Sequence, residues 1–139
     1  MNRNFIQNII YTLCIGGLIL HLKTAFLESS EPTSSFSFIL LGWSLIPYLL
    51  IIVLRKASYG ALCASVSVFL FDLFIHLEVF VWPGSSTAAL GLLFAPLWNL
   101  VISLPLSFLA GHFIEKKLKM KTGLSAYKKE SEEKQDIPR

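Results

Sequence analysis

The sequence predicts an all-α fold, an integral membrane bundle of four transmembrane helices with the N- and C-termini cytoplasmic. Three observations lead there. Hydrophobic residues make up 54% of the 139 positions and charged residues only 15%, against about 25% charged in a soluble domain. Between Phe36 and Ile114 the only Lys, Arg, Asp or Glu residues are Arg55, Lys56, Asp72 and Glu78. Lysine and arginine also gather at one end of the apolar segments, as the positive-inside bias requires.

A helix needs about 20 apolar residues to cross the hydrocarbon, at about 1.5 Å each. Four segments meet that length, over 5–22, 36–54, 58–81 and 86–114. The first follows Arg3 like a signal peptide. Its apolar run is longer than a signal core, however, and 23–30 holds no small-residue cleavage site, so it reads as a retained span. Glu28-Ser-Ser-Glu-Pro-Thr-Ser-Ser35 is a polar loop, and Arg55-Lys56 is a tight basic turn. Trp82-Pro83-Gly84 is a turn signal, because proline fixes φ and glycine permits φ > 0.

Arg3, Arg55, Lys56, Lys116, Lys117, Lys119 and Lys121 flank one side; the other has Lys23 beside Glu28 and Glu31. An even number of spans puts both termini together, and the basic flanks assign that side to the cytoplasm. This pattern fits a bacterial inner (plasma) membrane. Residues 115–139 form a basic cytoplasmic tail, helical at first against anionic headgroups and then partly disordered. The net charge of +3 arises mainly in this tail, which suits a membrane flank and gives no reason to expect nucleic acid. Cys14 and Cys63 lie in apolar segments without metal or disulfide spacing.

In lipid, helices associate through close packing and polar contacts. Gly60, Ala61, Ala64 and Ser65 give the third span a small-residue face, and Gly16-Gly17 offers another close approach. Pro47, Pro96 and Pro105 each remove a backbone donor and permit a kink.

The sharpest chemical signal is Asp72, His76 and Glu78 in the third span. A charge at mid-bilayer costs about 2.5–3.5 kcal/mol on insertion scales, so such residues usually have a partner or a task. Counting from Trp82 at about 1.5 Å per residue, Asp72 lies roughly 15 Å deep, His76 roughly 9 Å and Glu78 roughly 6 Å. Asp72 and His76, four apart, share a helix face. Glu78 points about 120° away from Asp72. Asn99 in the fourth span matches the depth of Asp72, and His21 in the first matches that of His76 or Glu78. Three roles are open for these residues: cohesion of the bundle, a proton or ion relay or transport site, and a catalytic or metal site. Ser85, Ser86 and Thr87 open the fourth span, where free N–H groups suit either simple capping or an anion such as a lipid phosphate.

No phosphate loop, dinucleotide fingerprint, zinc-protease helix or nucleophile elbow is present. No catalytic residue, metal site or cofactor is assigned. The chain has the size and span number of the small multidrug transporters but lacks the glutamate they carry in their first helix, so that family is not assigned. The expectation is a multi-pass, non-catalytic accessory, assembly or interaction protein, whose partners are the bilayer and a second copy or a larger membrane complex. The alternatives are a small oligomeric transporter or ion/proton-coupled protein using Asp72 and His76, and an enzyme acting on lipid headgroups.

Overall fold

The computed structural model describes residues 3–28, 34–54, 58–82 and 88–135. Its described residues contain helices and no strands. Helix α1 spans Arg3–Phe26, α2 Ser35–Leu54, α3 Ser58–Phe80, α4 Ala88–Trp98 and α5 Leu104–Gln135. A π-helical turn, Asn99–Ser103, joins α4 to α5, so the two make one continuous path. This path and α1, α2 and α3 are the four helical stretches long and apolar enough to cross a membrane. They fit an integral, multi-pass membrane protein.

The large apolar side chains point both ways. Ile6, Ile10, Ile51, Val68 and Leu104 are buried between helices, whereas Leu27 is 78% exposed and Val53 73%. In water so many exposed aliphatic groups would drive aggregation; in lipid they face a solvent of their own polarity.

Local chemistry explains the helix ends. Ser34 caps α2 by accepting the Ser37 backbone N–H at its Oγ, 3.2 Å away, which satisfies one of the unpaired donors of the first turn. At the end of α1 the N–H groups of Leu27 and Glu28 both reach the Lys23 carbonyl. That turn folds Glu28 back onto Lys23. The helix is thus longer than the predicted 5–22 span and carries Lys23 and Thr24 on its last turn.

The fourth span departs further from expectation, since it changes register at its centre. Leu104 donates its N–H to the carbonyl of Asn99, five residues back. The wide turn lies between Pro96 and Pro105, whose rings lack the N–H groups that would serve the carbonyls of Leu92 and Val101. Near the first proline, the Trp43 indole donates to the Leu93 carbonyl at 3.0 Å. Beyond it, α5 remains helical as far as Gln135. Its residues are mostly strong helix formers, and Lys119 pairs with Glu115 one turn back at 2.8 Å.

The small-residue face of α3 brings α5 into backbone contact. A Cβ on Gly111 would lie 2.5 Å from both the Cα of Gly60 and the carbonyl oxygen of Tyr59, and a Cβ on Gly60 2.8 Å from the Phe108 ring. Gly17 does similar work between α1 and α2, leaving room for the Tyr48 ring to lie on the α1 backbone. The basic turn Arg55-Lys56, the Pro83-Gly84 turn and the candidate anion site Ser85, Ser86 and Thr87 lie outside the described residues.

Candidate functional site

Asp72 is buried in the half of the bundle opposite the Gly60–Gly111 contact. Three polar groups converge on its carboxylate. His21 Nε2 of α1 reaches Oδ2 at 3.0 Å, and the Tyr48 hydroxyl of α2 reaches the same oxygen at 2.8 Å. Asn99 Nδ2, on the π-helical turn, reaches Oδ1 at 2.7 Å. A single carboxylate on α3 is therefore bonded to each of the other three spans. Two of these partners, His21 and Tyr48, also touch edge to face at 5.8 Å between ring centres.

The π-helical turn bears on this convergence. It shifts the path by one residue relative to a regular α-helix, and Asn99 stands at its start, fully buried. The Asn99 Oδ1 has no hydrogen-bond partner among the described residues, so its amide is engaged through the nitrogen alone.

His76, one turn along the same face of α3, belongs to a second group. The Thr24 hydroxyl lies 3.0 Å from Nδ1 and also donates to the Leu20 carbonyl at 3.1 Å. Lys23 Nζ lies 3.4 Å from Nε2. An ammonium only donates, so Nε2 must accept; Nδ1 then carries the proton and donates to Thr24. These contacts select neutral His76 in a single tautomer. Lys23 also pairs with Glu28 Oε1 at 2.9 Å, while Glu28 Oε2 stands 3.6 Å from His76 Nδ1 and makes no hydrogen bond among the described residues.

A narrow pocket lies where the two groups meet. His21, Thr24, Ser44, Asp72 and His76 line it with apolar residues of α1–α4. It offers about 10 Å3, close to the minimum a single water requires.

Of the residues singled out from sequence, the structure thus brings Asp72, His21 and Asn99 into direct contact and sets His76 beside them. Glu78 is exposed on another face of α3 and joins neither group. Sequence reasoning missed Tyr48, Thr24, Lys23 and Glu28. Tyr48 had a usable signal, since a phenol deep in an apolar span needs an acceptor and Asp72 was the evident one. Among the described residues, no three His, Cys, Asp or Glu side chains are grouped to hold a metal ion. Comparisons with known protein families, curated proteins and solved structures give no match.

Proposed function

We propose that this chain is a non-catalytic membrane protein whose polar core is a clasp, and that it acts through its surfaces as an accessory, assembly or interaction subunit. The observation that carries this reading is the Asp72 carboxylate, bonded to three other spans, beside a pocket with room for about one water. The polar groups are satisfied mainly by one another, and among the described residues the pocket beside them is narrow.

Both termini lie in the cytoplasm in this reading, and the membrane is a bacterial inner membrane. The supporting pattern is the basic bias of Arg3, Arg55, Lys56 and the lysines from Lys116 to Lys121. The first turns of α5 beyond the hydrocarbon then rest on anionic headgroups, at about 1 kcal/mol per basic residue. The polar sequence of the remainder of α5 suits contact with a second copy or a larger complex.

The test compares wild type with Asp72→Asn. In nanodiscs, Asp72→Asn unfolds at a lower temperature, because one carboxylate oxygen is replaced by a donor facing other donors. In proteoliposomes, both proteins give proton and solute fluxes equal to those of protein-free vesicles. A flux carried by wild type and lost in a folded Asp72→Asn protein would contradict the proposal and favour the ion-coupled alternative.

A further inference from the structure

The second polar group, around His76, leads from the clasp to the end of α1. Lys23 is half exposed at that end, with its side chain at 50%. His76 contacts Lys23 through Nε2 and Thr24 through Nδ1. It also shares with His21 and Asp72 the walls of the pocket that admits about one water. Ser44 lines the same pocket. A water there has the two to four polar neighbours that a buried water needs.

We infer that the Asp72–His21 pair is a proton-binding site, reached from the Lys23–Glu28 end of the bundle through His76 and one bridging water.

The charges around the pair favour this. Lys23 and Glu28 cancel, and His76 is neutral in the tautomer its contacts select. Tyr48 and Asn99 bring no charge. With Asp72 ionised and His21 neutral, the buried centre therefore carries one net negative charge, which is costly in a medium that solvates ions poorly. The His21 Nε2 already faces Asp72. One proton taken up at His21 Nδ1 turns the couple into a hydrogen-bonded ion pair of zero net charge. The net balance is a single proton moved from solvent to the pair; His76, which exchanges one N–H bond for another in the relay, regains its starting tautomer when its ring turns over. His76 relays it by accepting a proton on one ring nitrogen and releasing one from the other. Among the described residues the opposite half offers no such route: the core there is built of Ile6, Ile10, Ile51, Ala64, Val68 and Leu104, closed by the Gly60–Gly111 backbone contact.

This inference adds a ligand, the proton, to the clasp and needs no flux across the bundle. Its failure is thus distinct from failure of the non-catalytic reading. Asp72 and Asp136 are the two aspartates of the chain, and His21, His76 and His112 its three histidines, so isotope labelling of Asp and His gives few signals. The experiment measures, in the full-length protein in lipid nanodiscs, the response of the Asp72 carboxyl and His21 ring signals to bulk pH. It also measures the exchange of the His21 ring protons with water. Wild type responds to pH and exchanges. His76→Leu slows the exchange by about tenfold or more, the mark of a raised barrier, while Glu78→Gln, on the other face, leaves it unchanged. Ser44→Val, which removes the pocket hydroxyl and fills its space, slows the exchange as well and serves if His76→Leu does not fold. An exchange rate unaltered in whichever of these two variants folds would overturn the inference, as would His21 and Asp72 signals indifferent to bulk pH in wild type.

Discussion

Asn99 donates from Nδ2 to the Oδ1 of Asp72 at 2.7 Å, and it does so from the first residue of a π-helical turn. The bond ties the fourth span to the third between two buried side chains. Removing the amide leaves Oδ1 without its donor, which costs more than the bond itself contributes. Asn99→Leu should therefore lower the unfolding free energy by about 1–2 kcal/mol, the usual scale for a polar contact between membrane helices. Reversible unfolding in lipid, followed by steric trapping, measures it.

The Tyr48 and Asp72 side chains should be energetically coupled. Tyr48→Phe keeps the ring against Gly17 and removes only the hydroxyl that reaches Oδ2 at 2.8 Å. Combined with Asp72→Asn, the two losses should fall short of additive by about 0.5–3 kcal/mol, as expected for direct partners. A double-mutant cycle on unfolding free energy checks this; strict additivity would mean that the hydroxyl has another acceptor.

The glycines should divide sharply. Gly111→Ala places a methyl group against the Gly60 Cα and the Tyr59 carbonyl, both backbone, so the helices must separate. A loss of about 1–3 kcal/mol is expected for such overpacking. Gly42→Ala meets nothing within 4 Å and should be neutral or stabilise by roughly 0.5–1 kcal/mol through helix propensity. Thermal unfolding of both variants in nanodiscs separates the two cases.

Trp43 and Pro96 offer a test of the kinked fourth span. The indole N–H serves the Leu93 carbonyl in the turn that Pro96 disturbs. Trp43→Phe should cost about 1 kcal/mol in wild type and about the same in Pro96→Ala, because the backbone N–H regained at position 96 serves the Leu92 carbonyl and leaves that of Leu93 to the indole. Equal costs in the two backgrounds, measured by the same unfolding assay, would separate the indole from the kink.

The four spans were legible because each is an apolar run bounded by polar or turn-forming residues, and the small-residue face of α3 because Gly60, Ala61, Ala64 and Ser65 recur at helical spacing. The shared face of Asp72 and His76 followed from their separation by four. Depth counting placed Asn99 and His21 within reach, but which faces meet depends on the rotation of each helix, and the π-helical turn at Asn99 resets that rotation midway along the fourth span. Two prolines hinted at irregularity there without specifying its kind. Thr24, Lys23 and Glu28 escaped notice because α1 runs past its apolar stretch, and because the turn at Leu27 and Glu28 folds an acidic residue back toward His76.

One carboxylate joins all four spans. Solid-state NMR in lipid bilayers tests it directly, by measuring dipolar coupling from the Asp72 carboxyl carbon to the side-chain nitrogens of His21 and Asn99. The clasp predicts strong coupling to both nitrogens in the same sample, at hydrogen-bonding separation. Coupling to neither, or to only one of them, would contradict it.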